Sequence, residues 1–590
     1  MASPEIELPA APDETNTAGI VAIEHHAVIS SSQVQVNDVL NDVSYDAEPL
    51  QNDEPSSSNG EKNVGGVSSY AAPSLQCDEP IVYHYLTFET DLPSPTSLGA
   101  CRDASAVPAP PDLQNYVSPF TWSKNRKNFM TWLSCAVTAA TAYTAGSYSP
   151  ASQQLSEYWH VSQVATYVGI TMFTTGFAVA PMFLAPFSEL NGRRPVFIAS
   201  GILFVICQLC CAVTRSFPGM LLARFFVGIG GSTFSTMVGG VISDLYHTQD
   251  RNTPMVLFTG AAMFGTGLGP LVSGFIAQHL SWRWVFYVQT IDCGLLILAV
   301  VLFFKETRGS VLLSRRAGLL NAWYEAREKA GLIGFDMTGE GNARKQPQRI
   351  RWKVKADEER ESLAKMIGIS VYRPFHLLLT EPVVFFFSLW VAFAWAVLYL
   401  TFSTIPLGFV KYHHFNTEQN GAVFSAMCVG ALLSTILSIY QEKVARHFGK
   451  IFSTPEERLY FCCIESALLP IGLFWYGWTS FASIHWIVPT LAVGCATMGI
   501  FSIYLAVFNY LADTYHRYAS SALAAQSFCR NMLGGVFPLI ATAMFTRMTF
   551  AGAASFLGGI GAILTVVPWV LVFYGPKIRA RSKFASEIMG

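Results

Sequence analysis

Long apolar stretches alternate with short polar segments along the chain from about residue 120 to its end. A helix needs about 20 mostly apolar residues to cross the roughly 30 Å hydrocarbon core of a bilayer, and about twelve stretches approach that length. The predicted spans cover residues 129–148, 163–186, 195–213, 218–241, 254–278, 284–304, 382–403, 418–440, 459–478, 484–511, 519–545 and 553–574. The pattern predicts an all-α membrane protein with twelve transmembrane helices.

One polar segment, 305–380, divides the predicted spans into two groups of six. It is too rich in charged side chains to cross a membrane, and it holds helical patterns at Leu319–Lys329 and Lys355–Met366. We therefore predict a leader at 1–120, a first six-helix bundle at 121–305, a central loop at 306–380, a second six-helix bundle at 381–575 and a basic tail at 576–590.

A short repeat indicates that the two groups of spans are similar. The fourth and tenth spans each end in Asp-Xaa-Tyr-His, at Asp244–His247 and at Asp513–His516. A Gly-rich span follows each of them, and Gly265 follows Asp244 at the same interval as Gly534 follows Asp513. Such internal symmetry is typical of transporters whose two bundles rock about a central site.

Basic residues predict the orientation, because cytoplasmic loops carry an excess of Lys and Arg. One set of loops and flanks carries Lys124, Arg126, Lys127, Arg193, Arg194, Arg251, Lys443, Arg446, Lys450, Arg458, Arg517, Lys577, Arg579, Arg581 and Lys583. The loops on the other side carry Arg215, Arg283, Lys411 and Arg547. Both termini and the central loop are therefore predicted to be cytoplasmic.

Composition separates the leader from the rest of the chain. Hydrophobic residues make up 51% of the sequence and charged residues 13%, against roughly 25% charged in soluble domains. In residues 1–120, acidic side chains far outnumber the two basic residues Lys62 and Arg102. Segments that are polar, acidic and poor in apolar runs do not bury enough surface to fold. The leader is predicted to be disordered.

The turn between the second and third spans combines a glycine, which permits a tight turn, with acidic and basic side chains. Its basic side chains are Arg193 and Arg194. Ion pairs between these arginines and carboxylates at neighbouring helix ends would stabilise one conformation of the transporter and would break in another. The alternative is that the arginines only fix the membrane topology. With the aspartates of the repeat, the candidate gating residues are Glu189, Gly192, Arg193, Arg194, Asp244 and Asp513.

Four ionisable residues within predicted spans are candidates for proton coupling: Asp292, Glu465, Arg224 and Arg530. A charged side chain in a membrane helix is costly and normally faces the bundle interior. Asp292 and Glu465 each lie roughly 10 Å deep at about 1.5 Å per residue, so they are the predicted proton carriers. The alternatives are structural: each carboxylate pairs with an arginine or a carbonyl inside the bundle, and Arg224 extends to an interface.

The fifth span carries an ordered Gly pattern, and aromatic residues are abundant, with 43 Phe, 23 Tyr and 13 Trp. Small residues let membrane helices approach closely, and proline bends them. The pattern residues are Gly265, Gly267, Gly269, Pro270 and Gly274. Aromatic side chains in the first and seventh spans are candidates for lining a cavity for a large apolar or cationic cargo, or they face lipid. They are Tyr143, Tyr148, Trp390 and Trp395.

Three segments resemble the signature motifs of the major facilitator superfamily: the turn at Ala185–Pro195, the fourth-span sequence Leu221–Gly231 and the fifth-span pattern. The fifth-span pattern resembles that of the drug:proton antiporters. Further stretches resemble the fungal branch of polyamine and multidrug exporters: Ser188–Phe197, Trp282–Phe286, Pro455–Leu459, Leu469–Trp475, Asn509–Asp513 and Tyr574–Arg579. The resemblance covers residues 120–585.

The resemblance implies the major facilitator fold, with two pseudo-symmetric six-helix bundles that alternate access to a central site. It also implies export of a drug, toxin, polyamine or secondary metabolite in exchange for protons, at the plasma membrane rather than the vacuole. The turn departs from the family pattern: Ala185, Glu189 and Leu190 stand where the family has Gly, Asp and a base. Leu190 removes one usual latch partner, so the gating pairs do not transfer directly.

Other function classes find little support in the sequence. We find no phosphate-binding Gly-Lys-Ser/Thr loop and no zinc-ligand spacing, so we predict no enzyme activity, no cofactor, no metal and no nucleic-acid partner. The expected partners are a small-molecule cargo, protons and the lipid bilayer. We expect a monomer, because one chain suffices for this transport mechanism. An uptake symporter or facilitator for a nutrient is the alternative, and a membrane receptor that uses the acidic leader is a further one.

Overall fold

A computed structural model of the chain describes residues 80–95, 108–330, 332–338, 345–360, 362–447, 454–515, 518–582 and 584. All of them belong to one compact unit, Pro73–Gly590. Most of the predicted leader lies outside the described residues. In the described part of the chain, 11 helices are long and apolar enough to cross a membrane.

The first bundle consists of six long helices, one of which is interrupted, together with one short helix. They are α1 (Lys124–Gly146), the short α2 (Ser152–Trp159), α3 (Gln163–Asn191), α4 (Arg193–Val213), α5 (Phe217–Thr236) continued by α6 (Val238–Leu245), α7 (Asn252–His279) and α8 (Trp282–Phe303). Short 3₁₀ turns at Gln114–Tyr116 and Pro119–Thr121 precede α1, and one at Ser149–Ala151 precedes α2.

Helix α1 is less apolar than the other long helices of the two bundles, and among them it is the one that composition alone does not identify as a span. Its Thr and Ser side chains are buried in the bundle and bonded to backbone carbonyls. Thr138 donates to the carbonyl of Phe234 at 2.6 Å, and Ser134 donates to that of Met130 at 2.8 Å. Because neighbouring helices shield it, α1 needs less apolar surface. With α1, the helices are consistent with the twelve predicted spans.

Three helices connect the two bundles, and the second bundle is assembled like the first. The connecting helices are α9 (Gly309–Lys329), α10 (Lys355–Glu358) and α11 (Leu363–Thr380). The second bundle contains α12 (Pro382–His413), α13 (Thr417–Val423), α14 (Ser425–His447), α15 (Tyr460–Glu465) after a 3₁₀ turn at Glu456–Leu459, α16 (Leu468–Thr479), α17 (Ile487–Tyr515), α18 (Ala519–Arg547), α19 (Thr549–Leu564) and α20 (Val566–Arg581). We call the end where α1 begins and α9 lies the base, and the other end the top.

Polar side chains start several helices where the sequence changes from loop to apolar run. Ser162 accepts a hydrogen bond from the backbone N–H of Ala165 at the start of α3, and Ser216 from that of Gly219 in α5. Such caps satisfy N–H groups that have no partner within the helix. The helix boundaries thus follow local chemistry. The predicted spans agree with most of them to within a few residues, but α12, α14 and α20 continue well beyond the predicted ends at residues 403, 440 and 574.

Part of the predicted leader is folded, so the prediction of disorder is wrong for residues 80–95. Strand β1 (Val82–Tyr85) pairs in parallel with β5 (Ile350–Lys353) of the central segment. Strand β2 (Ser94–Pro95) pairs antiparallel with β3 (Phe335–Thr338), which pairs with β4 (Lys345–Gln348). Composition did not predict these strands because their partners, β5 and β3, come from a distant part of the chain.

The strands and α9 share a small apolar core, which makes the central segment more than a linker. Its buried members are Leu86, Ala317, Leu320, Tyr324, Phe335, Ile350, Trp352 and Val354. The indole N–H of Trp352 donates to the Tyr324 hydroxyl at 2.9 Å. Beside this core, Glu328 accepts hydrogen bonds from Arg349 and Arg351 at 2.8–3.2 Å. We call this unit the accessory domain.

Candidate functional site

The turn between α3 and α4 at the base is built around Gly192. Its φ of 99° lies in the left-handed region, which residues with a side chain rarely adopt. A Cβ atom at this position would collide with the Glu306 carboxylate. The backbone conformation and the available space therefore both require glycine.

Glu306, which follows α8, caps the first turn of α4. Its Oε1 accepts a hydrogen bond from the backbone N–H of Arg193 at 2.8 Å, and its Oε2 from that of Arg194 at 3.1 Å. Oε1 also accepts from the N–H groups of Thr307 and Arg308. A negative charge at a helix N-terminus is stabilising. Sequence reasoning missed Glu306, although an acid directly after the sixth predicted span was a usable signal.

Asp244 binds two arginines, one at the start of α4 and one that directly precedes α9. Nε of Arg193 lies 3.3 Å from its Oδ2, and Nη1 of Arg308 lies 3.4 Å from its Oδ1. Arg194 donates instead to a backbone carbonyl of α8. Glu189, the other predicted partner, forms no ion pair with a residue that the structure describes.

Asp513 occupies the equivalent position in the second bundle and also binds two arginines. Nε of Arg458 lies 2.6 Å from its Oδ2, and Nη2 of Arg251 lies 3.1 Å from its Oδ1. Arg458 precedes α15 as Arg193 begins α4, so the repeat places an arginine–aspartate pair at corresponding helix ends. Arg251 belongs to the first bundle, and its ion pair therefore joins the two bundles at the base.

The glycines of α7 form two contact faces, and the first of them packs on α1. A Cβ atom at Gly265 would collide with the carbonyl oxygen of Ala139, and one at Gly269 with that of Tyr143. The two glycines are four residues apart, so they lie on one side of the helix. Backbone contact between α1 and α7 requires both of them.

The second face of α7 packs on α13 and α14 of the other bundle. A Cβ atom at Gly267 would lie 2.8 Å from Cβ of Met427, and one at Gly274 would lie 2.9 Å from Cα of Gly421. Pro270 lies between the two faces and contributes its carbonyl oxygen to the contact with Gly421. Helix α7 is thus in close contact with its own bundle and with the other.

Arg224 in α5 is fully buried, with 0% exposure. Its Nε and Nη1 donate to the carbonyls of Gly169 and Thr144 at 3.4 Å each. The guanidinium carbon lies 4.7 Å from the ring centroids of both Tyr148 and Phe173. Its Nη2 has no hydrogen-bond partner in the described part of the chain. Arg224 therefore does not extend to an interface.

Arg530 in α18 occupies a similar environment in the second bundle, with 1% exposure. Its guanidinium carbon lies 4.4 Å from the ring centroid of Trp395 and 4.8 Å from that of Tyr504. Among described residues, its Nε and Nη1 find no hydrogen-bond partner. Tyr399 is close enough to interact electrostatically with both Arg530 and Arg224. We call the two guanidinium groups, the rings that contact them and Tyr399 the arginine centre.

The structure brings two of the four predicted cavity aromatics to the arginine centre. Tyr148 and Trp395 contact the guanidinium groups. Trp390 is buried elsewhere in the second bundle, where it stacks on Phe387 at 6.1 Å. Tyr143 lies on the side of α1 that packs against α7.

Contacts between the bundles at both ends enclose the arginine centre. At the base, Asn509 Nδ2 donates to Asn252 Oδ1 at 3.3 Å, beside the Arg251 ion pair. At the top, the backbone N–H of Thr417 donates to Gln278 Oε1 at 3.0 Å. The two bundles are thus in contact near both ends.

A pocket that is partly open to solvent lies between the bundles near the base. Its lining includes Glu442, Glu465 and Arg458. The buried Glu442 carboxylate accepts a hydrogen bond from Thr253 of the first bundle at 2.9 Å. The half-buried Glu465 accepts one from Gln441. The predicted eighth span ended at residue 440, so sequence reasoning missed Glu442.

Asp292 does not lie inside the bundle, and the premise of a buried carboxylate is wrong for it. Its side chain is exposed on α8, next to the exposed side chains of Ile291 and Leu295. It forms no ion pair with Arg224, Arg530 or any other described residue. Depth along a helix does not determine which side a residue faces, and α8 is apolar on most of its circumference.

Comparisons with known proteins agree with this architecture. The family model described as Major Facilitator Superfamily matches residues 133–538. The chain is 30% identical to "Multidrug transporter FLR2" of Candida glabrata, over 80% of this chain and 77% of that protein. It is 33% identical to "Efflux pump atB" of Aspergillus terreus, over 72% of this chain and 87% of that protein.

A solved structure of the xylose transporter XylE from E. coli, in a partially occluded inward-open conformation, has a TM-score of 0.52 to this chain. The alignment covers 76% of this chain and 98% of that one at 14% identity, so it bears on the fold alone. The helical architecture in two bundles, the matched family model and these relatives lead to one conclusion: the chain belongs to the major facilitator superfamily.

Proposed function

We propose that the protein exports an amphipathic organic small molecule in exchange for protons, by alternating access to the arginine centre. The observation that carries the proposal is the enclosed arginine centre between two bundles that meet at both ends. The direction of transport is supported by relatives that are named as a multidrug transporter and as an efflux pump. The base faces the cytoplasm and the membrane is the plasma membrane, supported by the basic residues at the base and by the family resemblance.

The base pocket supplies the proton site in this proposal. Glu442 accepts a hydrogen bond across the bundle interface, and Glu465 lines the same pocket. A protonated carboxyl group becomes a donor and loses its charge, so protonation changes the contacts that hold the base closed. A proton that binds one state better than the other shifts the equilibrium between them. Asp292 is not retained as a carrier because of its exposure.

The test uses purified protein in sealed vesicles, with a fluorescent amphipathic dye and a pH gradient in either direction. Gradient-driven movement of dye against the proton flow supports antiport. Movement of dye with the protons supports the uptake alternative, and movement that ignores the gradient indicates a facilitator. We expect Glu442→Gln and Glu465→Gln each to lower the gradient-driven rate of dye transport by about tenfold or more. Passive exchange of the dye should persist in both variants. Asp292→Asn retains coupling.

A further inference from the structure

The arginine centre holds two permanent positive charges that no protein carboxylate balances in the described part of the chain. The electrostatic neighbours of Arg224 are Cys211, Tyr148 and Tyr399, and none of them is an acid. Arg530 lies over the rings of Trp395 and Tyr504, whose centroids are 5.4 Å apart, and neither ring carries a charge. Arginine remains protonated in proteins, and a buried charge without a partner is strongly unfavourable.

The acidic side chains of the membrane helices lie elsewhere. Glu442 and Glu465 line the base pocket, Asp292 is exposed, and Asp244 and Asp513 are already paired with arginines at the base. Within the described residues, no acid on the packed helices neutralises the arginine centre. The counter-charge is therefore left for a ligand to supply.

The unpartnered donors indicate how such a ligand is held. Nη2 of Arg224, and Nε and Nη1 of Arg530, are buried and lack hydrogen-bond partners among described atoms. A guanidinium presents its N–H groups in a planar fork that matches a carboxylate. The surrounding ring faces stabilise the arginines when the site is empty and offer a flat apolar surface to the remainder of the ligand.

We propose that the cargo is an organic anion, an aromatic or similarly flat molecule with a carboxylate, and that Arg224 and Arg530 bind its carboxylate. This inference rests on the proposed function, of which it narrows the cargo class. It replaces the cationic cargo that the aromatic residues suggested, because a cation here would face two like charges at short range in a medium that screens them poorly.

The test compares three ligands that share a ring and differ in charge: 2-naphthoate, 2-naphthamide and 2-naphthylmethylammonium, with the same series on biphenyl. Calorimetry and thermal stabilisation of the purified full-length protein measure binding without requiring transport. For at least one ring, we expect the carboxylate to bind roughly 10- to 100-fold more tightly than the amide, as lost charge-assisted hydrogen bonds predict. We expect the ammonium compound to bind most weakly.

Variants assign the effect to the two arginines. Arg224→Gln and Arg530→Gln each reduce the preference for carboxylate over amide by about tenfold, and Arg530→Lys retains part of it because it keeps the charge and loses the fork. Arg283→Gln is the matched control, because Arg283 also stacks on aromatic rings, at 4.3 Å from that of Trp282, but lies near the top. It keeps the full preference.

The outcomes separate this inference from the proposed function. Equal binding of carboxylate and amide in both series, no binding by either carboxylate, or tighter binding of the ammonium compounds overturns the inference, even if proton-driven export is observed. A carboxylate preference that depends on the arginines sustains the anion site, even if no proton coupling is found. If a glutamine variant fails to fold, the charge series on the native protein and Arg530→Lys still decide the question.

Discussion

Nη2 of Arg251 lies 3.1 Å from Oδ1 of Asp513, and this ion pair connects the two bundles at the base. Both side chains are largely buried, at 21% and 13% exposure, so the pair is less screened than one at a surface. Asp513 is held at the same time by Arg458 of its own bundle. Arg458 thus holds the Asp513 carboxylate in the position in which it can pair with Arg251 of the first bundle.

Removal of this contact is expected to open the base. Charge-assisted hydrogen bonds contribute about 1.5–3 kcal/mol, so Arg251→Gln shifts the equilibrium toward a base-open state by roughly tenfold or more. Spin labels at Asp250 and Lys577, which are exposed at the base of each bundle, measure the distance between the bundles. We expect a larger population at long distances in the variant.

The control for this prediction changes an arginine within a single bundle. Arg579 lies 2.8 Å from Glu456, and both belong to the second bundle. Arg579→Gln removes a comparable ion pair at the base without breaking a contact between bundles. If both variants widen the distance distribution equally, the Arg251 pair is not a gate.

The Glu306 cap is expected to matter more for stability than for gating. It accepts backbone hydrogen bonds at the start of α4 from within the same bundle. Glu306→Gln keeps the shape and removes the charge, which costs about 1–2 kcal/mol at a helix N-terminus and lowers the unfolding temperature. Glu189→Gln, on the same turn, changes an acid without an ion pair in the described chain and leaves that temperature unchanged. A thermal melt that shows equal shifts contradicts the capping role.

Hydropathy predicted the helices well because a bilayer constrains the length and the composition of a helix that crosses it. The Asp-Xaa-Tyr-His repeat also identified Asp244 and Asp513 as equivalent positions from the sequence alone. Hydropathy did not predict which way a residue faces. Asp292 and Glu465 looked equivalent in sequence, because a helix that is apolar all round carries no periodic signal, yet the first is exposed and the second lines a pocket. The pairing of β1 with β5 was also beyond sequence patterns, since their partnership depends on a contact between distant segments.

The two glycine faces of α7 are expected to differ in function. Gly265→Ala forces α1 and α7 apart within one bundle and lowers the unfolding temperature, with overpacking that costs about 1–3 kcal/mol. Gly267→Ala enlarges the side that meets the other bundle at Met427, so it reduces the transport rate more than the stability. Gly559→Ala, where an added Cβ meets no atom within 4 Å, is the control for both measurements. Identical effects of the first two substitutions on stability and rate contradict separate roles.

The accessory domain provides a prediction for pH. Burial alone would raise the pKa of Glu328, but hydrogen bonds and charge from Arg351 and Arg349 outweigh it and hold the pKa below its ordinary value of 4.5. The ionised form is thus favoured by folding. Its contribution is fully present above about pH 4.5 and is lost as the pH falls through the lower pKa of the folded state.

Hydrogen exchange of β5 measures this contribution directly, because the strand carries Arg351. At neutral pH, we expect Glu328→Gln to speed exchange in β5 by an amount that corresponds to about 1 kcal/mol. The native and variant proteins should converge as the pH falls below the pKa of Glu328, since both are then uncharged at this position. Glu325→Gln is the matched control, because Glu325 is 59% exposed and lies 4.0 Å from Arg351; such an exposed pair contributes little. A difference between native and Glu328→Gln proteins that persists at the lowest pH would show that the carboxylate charge is not what stabilises the strand.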